Sequence, residues 1–396
     1  MGKINFPKEE RCASMRVAIV VCVFPPYHGG MGNMALSYAL GLSRIGHRVE
    51  VFCPRYREVE REPDMPFRTH RLKPWGRLRN SAFLPQLANR LVGFDIVNLH
   101  YPFYGGAEIV YGLKKIRGRR FRLIINYHMD NYGMGVAGLS FKLYRGCLMP
   151  LILRSGDRII VTSYDYVANS AAARLFSESR ERFIEIPPAV DIERFKPSQK
   201  DKRLLEHYGI KAGEKVVLFV GGLDQAHSFK GIDFLLGSWQ GLGEPRTRLL
   251  IVGQGELKER YMRQAERLGI SGTVLFADPV EDRQLPEYYG LADLLVLPSV
   301  NSAEAFGIVL IEAMASGVPV VAANLPGVRT AVEDGRNGFL FKVMDSRDLL
   351  RKIRLVLSDG RLRESLGRAG RETVEDKYSQ DKVWRRLEKS FEEVLP

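Results

Sequence analysis

RVAIVVCVF (residues 16–24), then GGMGNMALSYALGLSRIGH (29–47), then RVEVFCP (48–54), decide the fold. The first run reads as a fully buried strand, the second as a glycine loop feeding a helix, the third as the next strand. The alternation recurs in FDIVNLH, FRLIINYH and DRIIVTS, each followed by a helical stretch. Continuous apolar strands alternating with helices imply a parallel sheet covered on both faces.

The pattern breaks at IEIPPAVDIERFKPSQKDK (184–202), whose prolines and charges read as an interdomain linker. A second series follows: EKVVLFVGGL, TRLLIVGQG, GTVLFADP, ADLLVLPS and VPVVAAN. The last stretch, YSQDKVWRRLEKSFEEVLP, reads as a charged amphipathic helix with no strand after it. The expected fold class is therefore α/β, with two Rossmann-like parallel-sheet domains facing across a cleft. Residues 1–190 form the first and 191–377 the second, and ligands bind at the carboxyl ends of such strands.

Composition narrows the class. The chain has 396 residues, 45% hydrophobic and 27% charged, and no apolar run near the roughly 18 residues of a membrane span. The first fifteen residues are polar and basic and show no secretory pattern. The four cysteines have no metal-type spacing, which suits a reducing, cytoplasmic compartment. Residues 1–190 hold 28 Lys/Arg against 15 Asp/Glu, a balance of 28 − 15 = +13, the whole of the chain's net charge. An acidic partner is expected for this half, whether anionic lipid, a phosphate-bearing substrate or nucleic acid.

EAFGIVLIE places Glu304 and Glu312 eight residues apart. At about 100° per residue these acids would not share a helix face squarely, so the segment reads as a loop entering a helix. Glu304 then precedes the helix and Glu312 lies about two turns along it. The backbone N–H groups of Phe306, Gly307 and Ile308 would sit at the helix N-terminus, a favourable place for phosphate. Two solvated glutamates on an ordinary amphipathic helix explain this segment alone equally well.

Gly30-Met31-Gly32-Asn33-Met34-Ala35 matches G-x-G-x-x-G/A, and Glu50 falls twenty residues after Gly30. A nicotinamide dehydrogenase is the corresponding reading. It is disfavoured because residues 24–28 separate the motif from its strand. The physical content survives, since glycines before a helix let backbone N–H groups approach an anion. VLFVGGLDQAHSFKG supplies a second strand–glycine turn, with Gly221-Gly222 after the strand and Lys230 within reach of a phosphate. His128 ends an apolar strand at the cleft-facing edge, where it can hydrogen-bond or exchange protons. Asp130 nearby gives no third metal ligand.

Taken together, these motifs resemble those of the GT-B-fold retaining glycosyltransferases of family 4 (group 1), over nearly the whole chain. FPPYHGGMG, YHMD, IPPAVDIERFKP, VGGLDQAHSFKG, LIVGQGE, ADLLVLPS, EAFGIVLIEAMASGVPVVAANLPGV and EDGRNGFL carry the resemblance. It implies that Glu304 contacts the donor sugar near the reacting centre and that Glu312 binds the ribose hydroxyls. Phe306, Gly307 and Ile308 would give backbone donors to the diphosphate, with Lys230 neutralising it. Gly30 and Gly32 would line the donor site from the first domain, and His128 would sit beside the donor sugar. The C-terminal helix, 378–396, would pack back on the first domain. One departure concerns Gly222, where many members carry an arginine that meets the diphosphate; His227 is a candidate helper.

The activity so implied is transfer of a hexose from a UDP- or GDP-type sugar, without cofactor or metal, to a hydroxyl of a lipid-linked or glycan acceptor, with retention. The enzyme would be cytoplasmic, or peripheral at an anionic inner membrane face, with no nucleic-acid partner. The competing class is a non-catalytic basic module that binds nucleic acid, for which no motif is present. For the acceptor, Lys73 to Arg77 with Arg79, Phe83, Leu84 and Leu87 form a basic, partly apolar stretch suited to a membrane-borne or phosphate-bearing acceptor, while Lys114 to Arg122 reads as solvated.

Overall fold

A computed structural model of the protein describes residues 14–26, 29–56, 64–78, 81–116, 121–130 and 135–395. The first sheet holds β1 (Arg16–Val20), β2 (Arg48–Pro54), β3 (Arg68–Leu72), β6 (Ile96–Tyr101), β7 (Arg122–Tyr127), β8 (Arg158–Val161) and β9 (Phe183–Glu185). A separate hairpin, β4 (Gly76–Leu78) with β5 (Ser81–Phe83), stands off it. The second sheet holds β10 (Lys215–Val220), β11 (Thr247–Val252), β12 (Val274–Phe276), β13 (Leu294–Leu297), β14 (Val320–Ala323) and β15 (Gly338–Phe341).

The strand orders are β3-β2-β1-β6-β7-β8-β9 and β12-β11-β10-β13-β14-β15, and every pairing in both is parallel. The order reverses between β1 and β6 in one sheet and between β10 and β13 in the other. Chains leave a parallel sheet in opposite directions at such a point, which opens a crevice beyond the strand ends. β1 stops at Val20, short of the whole 16–24 run, so residues 21–26 form the loop that leads toward the first helix, Gly30–Ile45. The short edge strands β9 and β15 and the β4–β5 hairpin were not apparent from periodicity.

The C-terminal helix, Gln380–Glu392, returns to the first sheet and packs along Gly30–Ile45. Val383, Leu387 and Phe391 on it are fully buried. A Cβ at Gly41 would stand 2.5 Å from Trp384 Cγ, so only glycine lets the indole lie against the first helix. Trp384 Nε1 donates to Ser37 Oγ at 3.1 Å, and the Arg44 guanidinium covers the ring at 5.2 Å. The chain thus passes between the two sheets twice, and the passages are bonded side by side: Val190 N to Tyr378 O at 2.9 Å and Gln380 N to Val190 O at 3.2 Å.

Candidate active site

Two loops leave the second sheet at its switch point, one after β10 and one after β13. Val300 N donates to Phe229 O at 2.8 Å and joins them. Gly231 makes the approach possible: its φ is +78°, and a Cβ there would lie 2.1 Å from Pro298 O. The joined loops put the Lys230 ammonium 2.8 Å from Glu304 Oε2, both side chains mostly buried. Ser299 Oγ donates to the same carboxylate oxygen at 3.2 Å. A Cβ at Gly221 would lie 2.7 Å from Lys230 Cδ, so this glycine leaves room for the lysine stem.

The second acid stands on the helix Ile308–Ala315, which begins at Gly307 with φ +83°. Glu312 is therefore just over one turn along this helix, not two; the loop takes more of the segment than the spacing suggested. Tyr289 donates to Glu312 Oε2 at 2.6 Å. Burial pushes the Glu312 carboxyl above its ordinary range, only partly offset by that bond and by Arg194 and Lys230. The Tyr289 hydroxyl is buried beside it and held far above the usual tyrosine value, first by burial and then by the Glu312 charge. Phe306 packs into the core edge-on to Tyr378, ring centroids 5.6 Å apart, and anchors the N-terminal end of this helix.

The first domain brings its own elements to this point. A Cβ at Gly30 would lie 3.7 Å from Ile308 Cδ1, so the first residues of the Gly30–Ile45 and Ile308–Ala315 helices lie close together. Each helix N-terminus favours an anion. Gly32, also in the first turn, is buried, and a Cβ there would lie 3.1 Å from Val23 O; it serves close packing of helix on loop. His128 follows β7, is buried, and shares a 2.8 Å hydrogen bond with His100. Burial pushes the His128 imidazole down to about 3 and that of His100 well below its usual value, so both rings are neutral across the physiological range. Asp130 is engaged elsewhere, accepting from Tyr127 Oη and, at 2.8 Å, from Ala171 N.

At Gly222 the space where a longer side chain would begin is filled by His227, whose Nδ1 lies 2.6 Å from the position of a Cβ. Asp224 holds that ring through contacts of 2.9 and 2.8 Å to Nδ1. The acceptor stretch differs in part from its reading. Leu84 and Leu87 are fully buried, whereas Trp75 and Phe83 are 77% and 45% exposed on the hairpin. Arg79 lies outside the described residues. Of the basic run at 114–122, Lys115 is exposed, whereas Lys114 and Arg122 are partly buried and pair with Asp157, at 2.7 and 3.4 Å; residues 117–120 lie outside the described residues.

Sequence reasoning missed Tyr289, Ser299, His100 and the contact of Asp165 with Arg329. Tyr289 meets Glu312 from another helix, and Ser299 sits on the same loop as Glu304 but has no spacing that marks it as a partner. His100 did leave one, because Asn98 and His100 are polar residues two apart in an otherwise apolar strand, which puts both on one face. Among the described residues, no group of three or more His, Cys, Asp or Glu could hold a metal ion, and no helix is long and apolar enough to cross a membrane.

Residues 28–194 match the family described as Glycosyltransferase Family 4, and residues 200–373 match that described as Glycosyl transferases group 1. A D-inositol 3-phosphate glycosyltransferase 2 of Catenulispora acidiphila is 36% identical over 208 residues, 50% of this chain and 47% of that protein. The match thus spans about half the length of that relative. A GDP-mannose-dependent alpha-(1-6)-phosphatidylinositol monomannoside mannosyltransferase of Mycolicibacterium smegmatis is 27% identical over 384 residues, 94% of this chain and 96% of that one. Two solved structures share the fold. Sucrose-phosphate synthase from Thermosynechococcus elongatus superposes with a TM-score of 0.78 at 21% identity, covering 96% of this chain and 99% of that one. Anabaena HepE in complex with UDP and glucose gives 0.74 at 19% identity, covering 96% and 99%. The chain belongs to the group 1, family 4 glycosyltransferases of GT-B architecture.

Proposed function

We propose that the protein transfers a hexose from a UDP- or GDP-type sugar to a hydroxyl of a lipid-linked or glycan acceptor, with retention at the anomeric carbon. The observation that carries this reading is the Lys230–Glu304 pair at the β10/β13 switch point, near where the first residues of two helices come close. The leaving group is a nucleoside diphosphate. Its developing charge is met by Lys230 and by the N–H groups of Phe306, Gly307 and Ile308, which are fixed before the reaction begins. Glu304 meets the hexose near the reacting carbon, and Glu312 accepts from the ribose hydroxyls. His128, neutral, hydrogen-bonds a sugar hydroxyl. His227, held by Asp224 in the space beside Gly222, is a second donor available to the diphosphate. Lysine and helix N-termini can supply this stabilisation without a metal.

Retention fits front-face attack, in which the acceptor hydroxyl enters on the side the phosphate leaves and gives its proton to the departing oxygen. The glycosidase-type double displacement needs a nucleophile and an acid about 5 Å apart across the bond. Glu304 is instead tied to Lys230 and Ser299. The basic first domain suits an enzyme working at the inner face of the cell membrane. Supporting the donor assignment, a curated relative is named as GDP-mannose-dependent and a fold neighbour is described with UDP and glucose.

The test is a screen of UDP- and GDP-hexoses for slow hydrolysis and thermal stabilisation, with and without chelator, followed by NMR of the product's anomeric configuration. Stabilisation by one nucleotide sugar, chelator-independent turnover and a retained anomer are expected. No response to any nucleotide sugar would overturn the proposal.

A further inference from the structure

Asn98 and His100 lie two residues apart on β6 and project from one face of the sheet. In register, Asn98 lies beside Ile124 and His100 beside Asn126 of β7, and the ladder continues through His128 N to Tyr101 O at 3.0 Å. Three side chains on this face form a chain of hydrogen bonds. Asn98 Nδ2 donates to Ile124 O at 3.4 Å, Asn98 Oδ1 meets His100 Nε2 at 3.1 Å, and His100 Nδ1 meets His128 Nε2 at 2.8 Å.

We infer that Asn98 and His100 form a buried relay that fixes His128 in the tautomer protonated on Nε2, leaving Nδ1 bare as a hydrogen-bond acceptor for a ligand hydroxyl. The direction follows from the one group in the chain with a single role. The Ile124 carbonyl can only accept, so it takes the Asn98 amide NH₂ and turns the amide oxygen toward His100. That oxygen can only accept, so His100 carries its proton on Nε2. A neutral imidazole has one N–H, so His100 Nδ1 is bare and must accept from His128 Nε2–H. His128 Nδ1 is then bare in turn. The Asn126 side chain, opposite His100, has no hydrogen-bond partner and does not compete for either ring. Both rings are buried, which disfavours a second proton on either one.

The consequence is specificity. A bare Nδ1 accepts from a hydroxyl and repels a carbonyl or carboxylate oxygen at the same place. Nδ1 has no hydrogen-bond partner among the described residues, and His128 stands at the carboxyl end of β7, where the first sheet meets the crevice. That the hydroxyl belongs to the donor hexose rests on the function proposed above; the tautomer does not. His100 is a positioning residue, acting on the ligand only through His128.

The test is two-bond proton–nitrogen correlation NMR of the full chain labelled with 15N-histidine, with the His128 signal assigned by its loss in His128→Gln. The wild type should show His128 protonated on Nε2 and bare on Nδ1, unchanged from pH 6 to pH 8. A His128 protonated on Nδ1 overturns the inference without reference to any activity. Asn98→Asp provides the inversion. A carboxylate beside His100 favours the doubly protonated ring, which then donates from Nδ1 and forces His128 to carry its proton on Nδ1. An unchanged His128 pattern in this folded variant also counts against the relay. In transfer assays His100→Leu should lower kcat/KM about tenfold, while binding of the nucleoside diphosphate alone stays unchanged. Equal loss of both would make His100 merely structural.

Discussion

The Lys230 ammonium lies 2.8 Å from Glu304 Oε2, although the residues are 74 positions apart and belong to loops that follow different strands. A buried pair of this kind is costly to break from one side, because the remaining charge is left without a partner. Lys230→Ala should therefore destabilise the second domain as well as weaken nucleotide binding. Glu304→Gln keeps an acceptor for both Lys230 and Ser299 and should therefore cost less stability than Lys230→Ala. Transfer in Glu304→Gln should nevertheless fall by about a hundredfold, the scale for losing one prearranged charged contact at a reacting centre. The double variant should be no worse than Lys230→Ala alone. Wild-type turnover in either single variant removes these residues from the reaction.

Gly231 tests whether the loop junction positions the lysine. Alanine there meets two obstacles, a φ of +78° and a contact of 2.1 Å with Pro298 O. Gly243 isolates the first, since its φ is +68° and a Cβ there meets nothing within 4 Å. Gly243→Ala should cost about 1–2 kcal/mol, the strain of a left-handed residue with a side chain, and spare turnover. Gly231→Ala must push the two loops apart, so it should abolish most transfer beyond any shared loss of stability. Similar activity in the two variants would mean the junction does not set the Lys230 position.

The role proposed for Glu312 carries a pH dependence with a definite sign. Burial raises its carboxyl above the usual range, so it gains a proton at a higher pH than a surface glutamate. A protonated carboxyl loses acceptor capacity toward ribose hydroxyls. Nucleoside diphosphate affinity should thus decline on acidification, beginning above the ordinary glutamate range near pH 4.5. Glu312→Gln should bind more weakly at neutral pH and lose that part of the acid response. Folding has the complementary sign: with the folded value raised above the unfolded one, ionised Glu312 costs stability at neutral pH, and acidification through the folded value relieves it. Calorimetric titration and urea denaturation across pH 5 to 8 measure both.

The fold was legible because a buried parallel strand is apolar along its whole length, so the β1, β6, β10 and β13 runs stand out from any solvated segment. The edge strands were not: β9 and β15 are short, and β9 sits against the prolines that mark the linker. Glu304, Lys230 and Glu312 were legible as residue types because their loops carry glycines in a recognisable order. Their partners were not. Tyr289 reaches Glu312 from another helix, and His100 reaches His128 across a strand pair, contacts that only the folded sheet creates. Leu84 and Leu87 show the opposite failure. Read beside Trp75 as a surface stretch, they turn inward where the chain leaves the hairpin.

Asp165 of the first domain bonds directly to the second, at Gly327 and Arg329. Its carboxylate takes two bonds from Arg329, at 2.9 and 2.7 Å, and a third from Gly327 N at 2.8 Å. Burial raises this carboxyl, but Arg329 and the Gly327 N–H outweigh that and hold it below its ordinary range. The contact is therefore intact at neutral pH and is lost only as pH falls through that depressed value. Both side chains are partly exposed, so the ion pair itself contributes on the order of 1 kcal/mol at most and weakens with salt. Asp165→Asn should shift the balance toward an open arrangement of the domains, read as a larger radius of gyration in solution scattering at low salt. A saturating nucleotide should restore the compact form. Identical scattering of variant and wild type, without nucleotide, would show that Asp165 does not hold the domains.

The hairpin sets up the membrane test. Trp75 is 77% exposed and Phe83 45%, with exposed Lys73 and Arg77 beside them. An indole and a phenyl ring bordered by cations suit the boundary between anionic headgroups and acyl chains, where each basic residue near the surface contributes about 1 kcal/mol. Arg77 is partly committed, since it donates to Tyr56 O at 3.2 Å and covers the Tyr56 ring at 5.1 Å. Lys73 and Trp75 are the cleaner positions to change. Leu84 and Leu87 are buried and should be left alone, because their loss would unfold the hairpin's base. Wild-type protein should sediment with vesicles containing phosphatidylserine at low salt, and much less at 0.5 M salt. Trp75→Ser with Lys73→Gln should reduce that binding severalfold while nucleoside diphosphate binding and the melting temperature stay at wild-type values. If wild-type protein ignores anionic vesicles at low salt, the surface has no membrane role, and an acceptor free in solution becomes the reading to pursue. If the double variant binds vesicles as well as wild type, attachment resides elsewhere on the basic domain and the hairpin is removed from it.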